Sequence, residues 1–520
     1  MQTLEATDDF VVTWPNPGLN AAPWVGDRMH FPGPLPHLAQ KIVGDFMEQI
    51  LSAPTLFVNG YQFSFPPTIP ESPPEVFAGG TRVWHEDYSR RIRAFCEGVR
   101  ATDFEAMSLA EATDVLERMV PEGLAAFRLT MIVINALMNP TYDLLDFLER
   151  ELGADGPLVS ATLLQGTRNE SATSGTALTN LVSMAAKSPA ISQAVKAANL
   201  DGVAAAPGGA EFLAEFERFL DEYGWRAETW GTMHRPTWAE NPAGLLGVIA
   251  RYLDDPEGGP AAATERSKAQ RTAIMKEVES RLSGEHLAEM RELVERTEIH
   301  VPVSEDRARW QLSIVGTLRL PVLAVGRKLV AEGLLEQPDD LFYLNWDEAL
   351  RAGREPGPWV GEAARKGRAE FERWEKLAPP PFLGTMPDIS MIPKDGLRMM
   401  RHFAGIAAPS VQGRTIQGTA ASRGTVTGRA RIIRTLDEQD KLEPGDVLVC
   451  ITTAPPWTAL FAIAGAVVTN TGGVMSHSGI CAREFAIPCV VGTQVGTNVI
   501  PDGAMITVDG TAGTVTILGG

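Results

Sequence analysis

The chain has 520 residues and carries 65 Asp+Glu against 46 Lys+Arg, a formal net charge of −19. That length is too great for one core and points to about three units of roughly 150 residues, while 44% apolar and 21% charged residues exclude wholesale disorder. So acidic a balance argues against non-specific binding to nucleic acid or anionic membranes.

The N-terminus, MQTLEATDDF, lacks a basic stretch followed by an apolar run, which argues against a secretion signal. Residues 1–90 are rich in Pro and aromatics, as in Trp14-Pro15, Pro32 to Pro36 and Pro67 to Pro74, and read as loops around short elements. From about Asp87 to Leu377 helical spacing dominates. Glu211 to Tyr223 sets Phe212, Phe216, Phe219 and Leu220 on one face and carboxylates on the other. Ala263 to Thr297 predicts a charged amphipathic stretch and Trp310 to Ala331 a longer apolar one, with loops around Ala204 to Gly209 and Asp254 to Pro260. The passages Ala378 to Pro393 and Ala407 to Gly413 predict a hinge.

Beyond the hinge, short β-branched runs predict strands at Ala430 to Ile433, Asp446 to Ile451, Ala466 to Thr469, Met505 to Val508 and Thr514 to Leu518. Turns such as Glu443-Pro444-Gly445-Asp446 and Pro501-Asp502-Gly503 separate them, and one helix is expected at about Ser476 to Phe485. From Gly413 onward there are 7 Lys+Arg and 8 Asp+Glu, so nearly all the negative charge lies upstream. The most apolar runs, Met131 to Met138 and Leu460 to Val468, fall short of the ~18–20 residues that span a bilayer. Four cysteines (Cys96, Cys450, Cys481, Cys489) form no Cys-x-x-Cys pair and no disulfide framework. The expectation is a reduced, cytoplasmic protein with neither nucleic-acid nor membrane partner.

Val468 to Gly492, VTNTGGVMSHSGICAREFAIPCVVG, is the chemically informative segment. It reads as a buried strand, a Thr-Gly-Gly turn and a helix whose first turn holds His477. Gly472 and Gly473 would let backbone N–H groups approach an anion, the helix N-terminus favours phosphate, and Thr471 and Ser476 add hydroxyls. An imidazole there is expected to stay neutral and nucleophilic. Taken alone, a histidine near a helix start is more often a cap or surface residue. His477 and Cys481, with Cys489 nearby, also have a spacing that suits a metal. A fourth ligand is not visible, and no metal is expected.

The ordered set from Gly418 to Gly513 resembles the phosphohistidine swivelling domain of the phosphoenolpyruvate-utilising enzymes. It runs through Ala421-Ser422-Arg423-Gly424, Thr427-Gly428, Glu443 to Val449, Thr471-Gly472-Gly473, Ser476-His477, Ala482-Arg483-Glu484, Ile487-Pro488 and Val508-Asp509-Gly510. The resemblance implies that His477 carries a phosphoryl group, with Thr471, Gly472, Gly473, Ser476 and Arg483 as phosphate-binding candidates. Gly479 departs from the family, which usually has Ala there.

Upstream, Tyr223-Gly224-Trp225-Arg226 with Pro236 to Pro242, and Val303 to Leu344 with Arg319 and Gly326, are similar to the acceptor-binding region of rifampicin phosphotransferases. The family often has His where Trp225 stands. Arg226, Glu228, Trp230, Trp238 and Arg307 are the candidate substrate-binding residues, and His234 or Glu240 the candidate general base. Plain packing competes for Trp225 and Trp310, structural ion pairing for the charged residues, and solvated helix charge for Arg307 and Arg309.

Neither an ATP-grasp domain nor a phosphoenolpyruvate-binding barrel is visible. Phenylphosphate synthase-like systems divide the work this way, which implies a separate ATP-grasp subunit bringing ATP and Mg²⁺. The expected fold is multidomain: a mostly α-helical acceptor-binding body (1–400), a hinge (401–412) and a small β/α phosphohistidine swivelling domain (413–520). The expected activity is phosphoryl transfer from His477 to a hydroxyl of a small hydrophobic acceptor, a phenol among the candidates. The alternatives are a lyase, hydratase or isomerase, or a binding protein, whose carrier histidine is vestigial.

Overall fold

A computed structural model describes residues 10–14, 16–79, 81–165, 170–254, 260–385, 394–405 and 410–518. Most of the loop expected at Asp254 to Pro260, residues 386–393 of the first hinge passage and residues 406–409 lie outside them. The chain is multidomain and mostly helical, with a β-sheet region toward its C-terminus. It divides into two compact units. The first comprises residues 1–135, 229–236 and 310–391, the second 136–228, 237–309 and 392–520.

In the first unit, strands β1 (Pro23–Val25), β2 (Thr55–Val58), β3 (Tyr61–Ser64) and β4 (Phe382–Gly384) form a sheet in the order β2-β3-β1-β4. Asn59 and Gly60, both at positive φ, close the β2–β3 hairpin, the two-residue turn that strand twist favours. Phe10, Trp24, Tyr61, Phe63 and Leu383 pack as one cluster on this sheet. The helix His37–Leu51 buries Leu38, Ile42, Phe46 and Ile50, the spacing of one helical face.

The second unit joins helices, among them Gly209–Tyr223, Ala243–Asp254 and Pro260–Arg281, to a sheet that has nine strands among the described residues. These are β5 (Ser410–Gln412), β6 (Thr415–Gln417), β7 (Thr419–Ser422), β8 (Thr425–Ile432), β9 (Val447–Cys450), β10 (Ala466–Thr469), β11 (Cys489–Val491), β12 (Met505–Asp509) and β13 (Thr514–Ile517). Their order is β5-β6-β13-β12-β8-β9-β10-β11-β7, with β8, β9, β10 and β11 parallel. Parallel strands are covered on both faces and therefore read as unbroken apolar runs. Every residue of β9, β10 and β11 is buried.

One helical boundary differs from expectation. The stretch read as Ala263 to Thr297 breaks at Gly284 (φ +56°), and from there a single helix runs to Ala331. Pro302 and Pro321 sit inside it, where proline normally interrupts. Among the described residues, Leu109–Leu163 is long and apolar enough by composition to cross a membrane, yet 56% of its most apolar window is buried within the protein.

Candidate active site around His477

The chain β10–turn–helix–β11 puts His477 at the C-terminal ends of parallel strands, where open α/β sheets bind ligands. Gly472 turns the chain at φ +96°, where a Cβ would lie 2.7 Å from Ser476 Oγ. Ser476 then caps the helix His477–Glu484, its Oγ accepting the Gly479 N–H at 3.4 Å.

The amides expected to cradle phosphate are already engaged. Gly472 N–H donates to Ala404 O (2.9 Å), Gly473 N–H to Phe403 O (2.7 Å) and Met475 N–H to His402 O (2.9 Å). The reason is local: the described chain up to Gly405 lies against the turn, so a Cβ on Gly473 would meet His402 O at 2.3 Å. Thr471 Oγ1 donates to Ile451 O at 3.0 Å. Arg483, 3% exposed, donates through Nη1 to Ala421 O (2.7 Å) and Val474 O (2.8 Å), so it braces the loop from below.

The expectation of a neutral imidazole also needs correcting. Glu305 Oε2 approaches His477 Nδ1 to 3.8 Å, while Cys481 Sγ lies 3.3 Å from Nε2 and 3.7 Å from Nδ1. Burial would push the imidazole down, but the Cys481 sulfur and the Glu305 carboxylate outweigh it and raise it to about 10. The helix-terminus argument weighed only the field along the helix and missed a carboxylate arriving from elsewhere in the chain. Phe461 closes one side, its ring 6.4 Å from the imidazole in an edge-on pose. Thr453 Oγ1 and Ser478 Oγ, 2.8 Å apart, form a buried hydroxyl pair beside it in sequence.

Arg307 stands two residues past Glu305 on the long helix and is 7% exposed. Burial lowers its guanidinium to about 10, against the pull of Glu305 and of Tyr142. It makes no hydrogen bond among the described residues, which leaves its donors available to an anion. Arg226 and Arg309 instead stack on Tyr223 at 4.8 and 5.2 Å, with Arg309 also paired to Glu222.

Other candidates have structural work. Glu240 accepts the Thr237 N–H (3.0 Å) and hydroxyl (3.1 Å), locking a turn. Trp238 packs against Phe219 of the helix Gly209–Tyr223. Glu228 is half-buried in the second unit, and Trp310, 5% exposed, lies beneath Arg93. His234 and Trp230 belong to the first unit. The His234 imidazole is pushed down to about 3 by burial, then by Arg235 and Arg319, and its sealed Nδ1 has no partner. A nitrogen that cannot hold a proton near neutrality is a poor general base, so that assignment is withdrawn. Among the described residues, no group of three or more His, Cys, Asp and Glu is placed to hold a metal.

Glu305 is the residue that sequence reasoning missed. Its signal was Glu305-Asp306-Arg307-Ala308-Arg309, a dense charge run leading straight into the apolar stretch from Trp310. Three of those charges, on Glu305, Arg307 and Arg309, are buried.

The family profile "Rifampicin phosphotransferase fourth domain" matches residues 123–305, and "PEP-utilising enzyme, mobile domain" matches residues 442–513. The chain is 33% identical to the chondramide synthase of Chondromyces crocatus over 70% of its own length and 10% of that protein's. It is 33% identical to the uncharacterised phosphotransferase YvkC of Bacillus subtilis, covering 60% of the chain and 37% of YvkC. A rifampicin phosphotransferase of Streptomyces sviceus is 31% identical over 74% of the chain and 44% of that protein. The chain thus spans less than half the length of each of these relatives. Glu305 and His477 fall one in each matched region, so both lie in segments similar to parts of phosphoenolpyruvate-utilising enzymes.

Proposed function

We propose that this chain is a phosphotransferase part that carries a phosphoryl group on His477 to the hydroxyl of a small hydrophobic acceptor. An ATP-grasp partner, or an ATP-grasp region elsewhere, loads the histidine from ATP, and Mg²⁺ travels with that nucleotide. Residues 413–520 act as the swivelling domain and residues 1–400 as the acceptor-binding body. The observation that carries the reading is Glu305 at His477 Nδ1, with Arg307 beside it in sequence.

The chemistry follows from the leaving group. When phosphorus departs from one ring nitrogen, a proton on the other lets neutral imidazole leave instead of an imidazolate. Glu305 faces Nδ1 and stabilises that proton, which suits departure from Nε2. Arg307 would meet the charge on the transferring phosphoryl oxygens, a task of positioning and electrostatics. Loading has the opposite need, an unprotonated nitrogen, which the histidine regains once Glu305 is no longer beside it.

The test is intact mass at neutral pH after incubation with ATP and an ATP-grasp partner, since the P–N bond is acid-labile. A mass gain of one phosphoryl group, lost in His477→Ala, is the expected result. Full acceptor turnover by His477→Ala would end the proposal.

A further inference from the structure

His477 and Cys481 stand four apart on the helix His477–Glu484, so the Cys481 side chain leans back over the turn that holds His477. Its Sγ lies 3.3 Å from Nε2 and 3.7 Å from Nδ1. Those two distances fix where the sulfur sits. Each ring nitrogen directs its lone pair or its proton outward in the plane of the ring, so an atom on the Nε2 axis would lie far from Nδ1. A sulfur nearly equidistant from both nitrogens, and not overlapping the carbon between them, rests over the face of the imidazole. The spacing that suited a metal in the sequence therefore serves another purpose, because imidazole binds metal through a nitrogen lone pair, in plane.

The sulfur is held in that place. Cys481 is 0% exposed, packs in one cluster with Trp457, Leu460, Phe461 and Phe485, and has Thr458 Oγ1 at 3.8 Å from Sγ. The imidazole itself has Glu305 Oε2 at 3.8 Å from Nδ1 and the Phe461 ring standing nearly perpendicular to it. A histidine ring turns in a broad, roughly two-fold well about Cβ–Cγ. That turn exchanges Nδ1 with Cδ2 and Nε2 with Cε1, and it sweeps a ring edge through the space that Sγ fills. With the sulfur there, Nδ1 stays on Glu305 and Nε2 keeps one direction.

We infer that Cys481 is a positioning residue for the carrier: its sulfur locks the plane of the His477 ring, so that the phosphoryl group enters and leaves through Nε2 alone. The inference rests on the phosphotransferase reading above. In loading, the Nε2 lone pair bonds to phosphorus while the bond from phosphorus to the donor's leaving group breaks, and the leaving group keeps that electron pair. In discharge, the acceptor oxygen bonds to phosphorus and gives its proton to water, and the electron pair of the P–N bond returns to Nε2. Both steps need Nε2, phosphorus and the arriving or departing atom in line, which a turning ring satisfies for only part of the time. A turning ring also offers Nδ1, and a phosphoryl group on Nδ1 in the present pose would set its oxygens against the Glu305 carboxylate.

Two arms test it on the full chain. The first needs no phosphate and follows the ¹³Cδ2–¹H signal of His477, identified by its loss in His477→Gln. That signal should be single and narrow in the wild type, doubled or broadened in Cys481→Ala, and single again in Cys481→Val, which puts a methyl where the sulfur was. Equal signals in the wild type and Cys481→Ala overturn the inference even if phosphohistidine never forms. In the second arm phosphoramidate labels His477, and ³¹P spectra separate the two positional isomers. The wild type and Cys481→Val should carry about a hundredth or less of the label on Nδ1, and Cys481→Ala about a tenth or more. A merely structural role would lower the yield and leave that ratio alone. An unchanged ratio in Cys481→Ala, or a ratio in Cys481→Val as mixed as in Cys481→Ala, overturns the inference, whereas failure of wild-type His477 to take phosphate counts against the phosphotransferase reading instead.

Discussion

Glu305 Oε2 lies 3.8 Å from His477 Nδ1, and the two side chains are 7% and 13% exposed. A carboxylate this close to a nearly enclosed imidazole sets when that ring gives up its proton. In this arrangement the ring holds its proton well above the ordinary value.

Replacing Glu305 with Gln removes one of the two groups that raise the imidazole, while burial, which lowers it, remains. Labelling of His477 by phosphoramidate needs the unprotonated nitrogen, so its rate rises with pH. Glu305→Gln should move that rise to lower pH by about one unit or more and speed labelling near neutrality roughly tenfold. Superimposable pH–rate curves would contradict this. The stability side has a fixed sign as well. A raised imidazole contributes fully below its unfolded value of about 6.5 and loses that contribution as pH climbs through the folded value. The wild-type advantage over Glu305→Gln should therefore shrink in alkali, as thermal melts at several pH values would show.

Arg307 should act as an anion receiver. Inorganic phosphate should raise the melting temperature of the wild-type protein, since a ligand of the folded state stabilises it by mass action. Arg307→Met should abolish the phosphate-dependent rise, and Arg307→Lys should keep only part of it, a point charge lacking the guanidinium fork. The same rise in all three proteins would remove Arg307 from the site.

Gly473→Ala places a methyl 2.3 Å from His402 O and forces the loop and the residue 402–404 segment apart. Losing two or three amide–carbonyl bonds at about 1 kcal/mol each predicts destabilisation of about 2–3 kcal/mol, read from urea unfolding. A change below about 0.5 kcal/mol, the range of ordinary surface substitutions, would mean the contact is dispensable.

Local pattern carried much of the sheet. Asp446 to Ile451, Ala466 to Thr469 and Met505 to Val508 read as strands because β-branched runs lie between turn residues, and strands stand there at Val447–Cys450, Ala466–Thr469 and Met505–Asp509. Ser476 and His477 were legible because a cap and a helix start are local events. The strand Thr419–Ser422 was missed: its Thr-Ala-Ala-Ser has little β signal and is held by pairing with β11. Glu305 was missed for a related reason, since it lies 172 positions from His477 and only folding brings them together.

The three bonds from Gly472, Gly473 and Met475 to the carbonyls of residues 402–404 have a mechanical meaning. Gln494 adds a fourth, from Nε2 to Gly405 O at 2.8 Å. In the proposed swivelling they make residues 402–405 cargo and not axle. Any rotation that ferries the imidazole either pivots on the amino-terminal side of His402 or first unzips this seam.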